Sequence, residues 1–197
     1  MSKNDSTAAK KERNKTIRWV VTIFLVTMIV TGIISMLSDY IMSVSGMLVA
    51  FVILMVIILI GIIFDIIGVA VASADEKPFH SMAARKVPGA MESIKLLRNA
   101  ERVSSICNDV VGDICGVISG SASATIAALI IAASQNFSYP QLISLTMSAL
   151  VAGLTVGGKA LGKTFAMESC TNIISFVGRL IYTLRNLPKL LKKKKIK

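Results

Sequence analysis

Three ionisable residues lie inside long apolar runs of the sequence. Asp65 interrupts "LIGIIFDIIGVAV", Asp113 lies within "CNDVVGDICGVISGSAS", and Lys159 follows the small and apolar residues of "LVAGLTVGG". A charge at the centre of a membrane helix costs about 2.5 to 3.5 kcal/mol, so such residues face the bundle interior and pair, or line an ion path. The chemistry to expect is cation coordination by oxygen ligands or a buried ion pair.

The composition indicates whether these residues lie in a membrane or in water. The chain has 197 residues, 54% of them hydrophobic, and a mean hydropathy of +0.71, which is typical of a membrane protein. Crossing a hydrocarbon core about 30 Å thick takes about 20 apolar residues in helix. Four segments qualify, 19–37, 47–74, 104–134 and 140–167. Since no long alternation of apolar and polar residues predicts a barrel, we expect an all-α membrane protein with four transmembrane helices.

The distribution of positive charge predicts the topology. Of the 22 Lys and Arg residues, six precede Trp19, six lie in 75–104, and ten lie from Lys159 onward. None lies in the two remaining loops, so the positive-inside rule predicts that both termini are cytoplasmic in a multi-pass protein of the plasma membrane. The net charge of +11 does not indicate nucleic-acid binding, because the basic tracts lack interleaved aromatic residues and a recognisable binding module.

The regions outside the spans have their own patterns. Residues 1–18 are a basic N-terminus, followed by a membrane domain over 19–167. Within it, 75–103 is expected to form a cytoplasmic amphipathic hairpin of two short helices broken at Val87-Pro88-Gly89. Residues 168–197 are expected to form an interfacial amphipathic helix with a polybasic tail that binds anionic lipid. The apolar face of this helix is predicted to comprise Ile173, Phe176, Val177, Leu180, Leu184 and Leu187.

Counting residues from the cytoplasmic ends of the spans places the three buried charges at one depth. Asp65, Asp113 and Lys159 all come out roughly 12 to 13 Å into the membrane at about 1.5 Å per residue. They form either an ion-pair network that holds the helices in register or part of a cation route, and spacing alone favours neither. Asp109 lies one turn from Asp113, with Asn108 beside it, and adds oxygen donors of the kind that Mg²⁺ prefers.

Small residues recur every four positions in the last two spans. Such rows allow helix backbones to approach closely when lipid supplies no hydrophobic drive, so we assign them to helix packing, within or between chains. The glycines are Gly112, Gly116 and Gly120 in the third span and Gly153 and Gly157 in the fourth.

The remaining chemically active residues do not indicate an enzyme. Cys107, Cys115 and Cys170 are odd in number and give no disulfide framework, so we expect reduced thiols. His80 is the single histidine and is expected to be a solvated surface residue rather than a metal ligand. We find no paired nucleophile and base, and no phosphate-binding loop.

The stretch from Phe64 to Gly116 resembles the transmembrane domain of the CorB/CorC and CNNM proteins, which are associated with magnesium and cobalt transport. That family has an "FSxSE" motif, a basic amphipathic hairpin, and "LLRxPDRLxSxxLxGNxLVN", against which this chain has "LLRNAERVSSICNDVVGDIC". The family's "GEILPKTLA" corresponds to "GKALGKTFA" at 158–166. The resemblance covers about 100 residues, and an additional helix precedes it here. The family resemblance implies that the chain forms a homodimer.

The resemblance also implies an ion site, from which this chain departs. At the family's ion-site motifs, only one residue of this sequence, Asp65, is still an oxygen ligand. The residues at these positions are Asp65, Ile67, Gly68, Val111, Cys115 and Lys159. Asn108, Asp109 and Asp113 are additional metal-ligand candidates nearby. Lys159 replaces the family glutamate and is expected to act as a counter-ion or gate. The chain ends without the cytosolic CBS pair of the family, so we do not expect regulation by ATP-Mg.

Two functions follow. The first is a CorB-like or CNNM-like membrane protein that binds or moves divalent cations, with Mg²⁺ as the bound or transported ion, and the resemblance favours it. The second is a non-transporting scaffold or accessory subunit in which Asp65 and Asp113 are locked against Lys159.

Overall fold

The computed structural model describes residues 3–44, 46–133 and 139–194, with side chains over 14–38, 40–41, 46–133 and 139–186. These residues are almost entirely helical and contain no strand. The elements are α1 (Lys3–Val44), α2 (Met47–Ser73), α3 (Lys77–Ala84), α4 (Ala90–Arg98), α5 (Ala100–Ser105), a π-helical segment (Ile106–Gly112), α6 (Asp113–Ala133), α7 (Pro140–Glu168) and α8 (Cys170–Lys194).

Four helical stretches are long and apolar enough to cross a membrane, as the sequence predicts. They are Asn14–Ser38, Met47–Ser73, Ala100–Ala133 and Pro140–Glu168. The outer helices extend further than expected, because α1 already begins at Lys3 and α8 continues through Pro188. Most of the predicted loop at 135–139 and the last residues of the polybasic tail, 195–197, lie outside the described residues.

Helix α2 is the centre of the bundle and packs against both α6 and α7. The core between them consists of small and branched residues from all three helices, Ala50, Leu54, Ile58, Ala122, Ile126 and Val151. Helix α1 packs mainly against α6 from outside, where the hydroxyls of Ser35 and Ser121 lie 3.4 Å apart. The additional first helix is thus peripheral to a three-helix core.

Two glycines of α2 allow the close approach of α6 and of the π segment. A Cβ at Gly61 would lie 2.9 Å from the Cβ of Cys115, and a Cβ at Gly68 would overlap the carboxamide of Asn108. Because nothing in lipid drives apolar helices together, such close backbone contact is what holds the antiparallel pair.

Most glycines of the rows predicted from the sequence do not pack against another part of the chain. In the described part of the chain, a Cβ at Gly116, Gly120, Gly153 or Gly157 would meet no atom within 4 Å. On α7 the glycines that pack within the chain are Gly158 and Gly162, which receive the side chains of Ile62 and Ile66 of α2. Periodicity finds a row of small residues, but it does not show which neighbour the row faces.

A second apolar cluster closes the bundle at the end that carries α3, α4 and α8, here named the hairpin end. It joins five helices through Ala70, Val71, Phe79, Ile94, Ala166 and Ile174. Ser93 of α4 donates a hydrogen bond of 3.1 Å to the Ile174 carbonyl of α8. Gly89, the residue before α4, has a φ of +90° and lies against the backbone of Arg179. The helix break predicted at 87–89 therefore also forms a contact with α8.

Helix α8 buries a different face from the predicted apolar stripe. Ile174 and Gly178 are buried against the hairpin, whereas Phe176, Leu180 and Leu184 are 69%, 49% and 57% exposed. The packed face is set by the small residue Gly178, which admits Ser93. Phe176, Leu180 and Leu184 of the predicted stripe therefore lie on the outside of the bundle. Ile173 of the same stripe packs partly against the second apolar cluster, and the side chain of Leu187 lies outside the described residues.

The packing predicts opposite effects of one substitution at two glycines. Gly61→Ala is expected to destabilise the protein by about 1 to 3 kcal/mol, because the new methyl group presses on Cys115. Gly120→Ala is its control and is expected to be neutral or stabilising by up to about 1 kcal/mol, since space is open there and Ala favours helix. Thermal unfolding in detergent measures both, and equal effects would contradict the central position of Gly61.

Candidate functional site

The candidate site centres on an ion pair between α2 and α7. The Nζ atom of Lys159 lies 3.6 Å from Oδ1 of Asp65, and the two side chains are 26% and 17% exposed. The parallel packing of Ile62 and Ile66 of α2 on the α7 glycines positions the two residues at the same level. This agrees with the depth counted from the sequence for Asp65 and Lys159.

Gly112 is the third component of the site. A Cβ at this position would lie 3.3 Å from Lys159 Nζ and 4.0 Å from Asp65 Oδ1. The glycine therefore leaves room for the ion pair at the point where the third span crosses α2 and α7. Any larger side chain at Gly112 would press on the ammonium group.

The backbone around Gly112 is π-helical, which the sequence analysis did not predict. The segment Ile106–Gly112 has the i→i+5 hydrogen bonding of a π-helix, so Cys107 and Gly112 fall on the same buried face. Single-turn π segments are often found at functional sites. In this chain the segment turns the glycine, rather than a carboxylate, toward Lys159.

Asp113 does not join the ion pair, contrary to the expected network of three charges. Its side chain is exposed and forms no ion pair within the described part of the chain. Consecutive helix residues are about 100° apart around the axis, so Asp113 points sideways once Gly112 faces the pair. Counting residues from the end of a span gives the depth of a side chain, but not the direction in which it points around the helix axis.

The other two predicted ligands face different neighbours. Asp109 is exposed beside α1 and accepts a hydrogen bond of 2.8 Å from the Ser105 hydroxyl. Asn108 lies against Gly68, where its Nδ2 donates to the Ser104 hydroxyl at 3.3 Å. Its Oδ1 is buried and has no hydrogen-bond partner among the described residues.

The predicted ligand set is therefore dispersed. Asp65 faces Lys159, Asp109 faces the α1 side, and Asp113 faces outward. Within residues 3–44, 46–133 and 139–194, no three His, Cys, Asp or Glu side chains come together as a metal-binding group. Asp65 is thus the only one of the three predicted carboxylates at the ion pair.

The remaining predicted residues divide between the surface and the core beside the ion pair. His80 approaches the carboxylate of Glu76 at 3.1 Å, and Arg98 approaches the same oxygen at 2.9 Å, both on exposed side chains. Cys107 and Cys115 are buried near the ion pair, where the Cys107 carbonyl lies against Gly112 and Cys115 lies against Gly61. Cys170 is half-buried, and all three cysteines are free thiols.

No protein-family model, curated protein or solved structure matches this chain. The resemblance to the CorB/CorC and CNNM proteins thus stays a prediction based on the motifs themselves.

The ion pair predicts a difference between single and double substitutions. Asp65→Asn is expected to destabilise the protein by about 3 kcal/mol, because the Lys159 ammonium loses its counter-charge. The double substitution Asp65→Leu with Lys159→Met is expected to recover most of that loss, since replacing both charges leaves neither unpaired.

Asp113→Asn is the matched control for this measurement. It removes a carboxylate at nearly the same depth that forms no ion pair among the described residues, so it is expected not to lower the free energy of unfolding. Equal destabilisation by Asp65→Asn and Asp113→Asn in thermal unfolding would contradict the assignment of the ion pair to Asp65 and Lys159.

Proposed function

We propose that this chain is a non-transporting multi-pass membrane protein, a scaffold or accessory subunit whose bundle is locked by the Asp65–Lys159 ion pair. The observation that supports it is the 3.6 Å separation of Lys159 Nζ and Asp65 Oδ1. The ammonium group takes the position beside Asp65 at which a transported cation would need to bind. Lys159 is then a tethered counter-ion rather than a gate.

Electrostatics favour the locked state. Opposite unit charges about 4 Å apart attract by about 4 kcal/mol at an effective dielectric constant of 20. A divalent cation would have to displace the Lys159 ammonium and lose its own water shell. The dispersed positions of Asp109 and Asp113 leave it few oxygens in return.

The surfaces available to a scaffold lie at the hairpin end. This end carries the basic residues of α1, α3, α4 and α8, together with the exposed apolar stripe of α8. The positive-inside rule supports a cytoplasmic location of this end in the plasma membrane, with α8 along the interface and anionic lipid at the polybasic tail.

Binding or movement of divalent cations is the second candidate function. One observation favours it: Asn108 Oδ1 is a buried oxygen without a hydrogen-bond partner, and it lies against Gly68, one turn from Asp65 on α2. An oxygen in that state is suited to a cation. This function would require Lys159 to leave Asp65.

A magnesium assay distinguishes the two functions. Reconstituted in liposomes, the wild-type protein is expected to give no magnesium flux above that of protein-free liposomes. Lys159→Glu is expected to gain magnesium binding, because it replaces the tethered cation by a carboxylate beside Asp65. Isothermal titration measures the binding, and an entrapped magnesium-sensitive dye measures the flux.

Lys163→Glu is the control, since it introduces the same charge change one turn further along α7 at an exposed position. It is expected to gain no magnesium binding. Wild-type flux that Asp65→Asn abolishes at unchanged thermal stability would reject the locked scaffold and establish the second function.

We further propose that the chain forms a homodimer through the outward glycines of α6 and α7. Gly116, Gly120, Gly153 and Gly157 leave open space on the outside of the bundle, where a second copy can approach closely. Rows of this kind are common at helix interfaces in membranes.

Filling this row is expected to dissociate the dimer. Gly120→Leu and Gly157→Leu should shift the protein toward monomer, because each places a bulky side chain where two backbones meet. Gly32→Leu on α1 is the control, as this glycine also has open space but lies outside the row. Single-molecule photobleaching in liposomes counts the subunits, and a dimer that is unchanged in both row variants would reject this interface.

A further inference from the structure

Two cavities that share Trp19 follow one another between α1 and the third span, starting at the hairpin end, and together they are named the groove. Its mouth is a polar cavity of about 430 Å³ lined by Lys15, Thr16, Trp19, Glu101 and Arg102. From Trp19 it continues as a largely apolar groove of about 630 Å³. Both volumes fall within the range of small-molecule sites, about 300 to 1,000 Å³.

The apolar part of the groove has the dimensions of a lipid chain. It follows α1 from Trp19 to Gly32, which is about 20 Å of helix at about 1.5 Å per residue. A single leaflet contributes about 15 Å of the hydrocarbon core. The α1 wall includes Val20, Ile23, Phe24 and Met28. The opposite wall consists of Val110 together with Ser105 and the carboxylate of Asp109.

The residue types at the mouth of the groove favour a position at the level of the phospholipid headgroups. Trp19 is 41% exposed and lines both cavities, and tryptophan is enriched at the boundary between hydrocarbon and headgroups. Lys15 and Arg102 lie on opposite sides of the mouth, on α1 and α5, and supply two cations for a phosphate. The polar and apolar parts therefore follow one another in the order of a glycerophospholipid.

The carboxylate of Glu101 determines which headgroup fits. It lies in the same cavity as the two cations and reduces their attraction for a headgroup whose only charge is the phosphate. A primary ammonium next to the phosphate would instead pair with it. We infer that this groove binds an amine-bearing phospholipid of the phosphatidylethanolamine class, with its phosphate at Lys15 and Arg102, its ammonium at Glu101 and one acyl chain along α1.

This inference is independent of the proposed function, because none of the groove residues belongs to the Asp65–Lys159 pair. It also gives a role to α1, whose span is not buried inside the bundle and covers the third span from outside. A bound lipid would fill the space that the two helices leave between them.

Trp19 supplies the readout, since it is the only tryptophan of the chain. The full-length protein in mixed micelles is titrated with phosphatidylethanolamine, phosphatidylcholine or phosphatidylglycerol carrying brominated acyl chains, which quench tryptophan fluorescence on contact. Half-maximal quenching is expected at an about tenfold lower mole fraction of phosphatidylethanolamine than of either other lipid. Equal quenching by all three lipids, or preference for phosphatidylglycerol, would overturn the inference.

Variants assign the parts of the lipid to the parts of the groove. Lys15→Gln and Arg102→Gln are expected to raise the phosphatidylethanolamine requirement about tenfold, whereas Glu101→Gln should remove only the preference over phosphatidylglycerol. Gly32→Leu fills the apolar part and is expected to weaken quenching by all three lipids.

Two substitutions outside the groove serve as matched charge controls. Lys95→Gln and Glu168→Gln change exposed charges at the hairpin end and are expected to leave quenching unchanged. The same loss in these controls as in Lys15→Gln and Glu101→Gln would mean a general surface-charge effect and would overturn the site. Circular dichroism melting of every variant separates lipid loss from unfolding, and loss of preference only in unfolded variants also counts against the site.

Discussion

The absence of a hydrophobic driving force between helices in lipid constrains every contact of α2. Its neighbours are held by close backbone approach, which requires glycine on one side of each crossing. Gly61 and Gly68 admit the third span, and the α7 glycines admit Ile62 and Ile66. These crossings set the relative level of the three core helices, and therefore which polar residues meet.

The ion pair depends on this register. Asp65 is tolerated in an apolar helix because the Lys159 ammonium lies 3.6 Å from its carboxylate. Lys159 reaches this position because α7 packs parallel to α2, with its glycines against Ile62 and Ile66. Gly112 completes the arrangement by leaving room for the ammonium. A buried pair is weak evidence for stability in itself, since its desolvation offsets much of the attraction. Its clearer effect is to occupy the position that a free cation would need.

The hairpin end shows the same dependence on small residues in a different setting. Gly89, with its positive φ, and Gly178 allow α4 and α8 to cross closely enough for Ser93 to bond across the contact. Ile174 is buried at this contact, whereas Phe176, Leu180 and Leu184 of the same helix face outward. The small residues therefore decide which face of α8 packs against the bundle.

By itself, the sequence determined the four apolar helices, the clustering of basic residues in three regions of the chain, and the common depth of Asp65 and Lys159. These follow from hydropathy, length and helical rise, which are local properties. Only the tertiary structure decided direction: Gly112 rather than Asp113 faces the pair, Asp109 faces α1, and the other four glycines of the rows face outward. Direction depends on how neighbouring helices rotate against each other and on a π-helical turn at Ile106–Gly112, and no periodicity within a single segment encodes either.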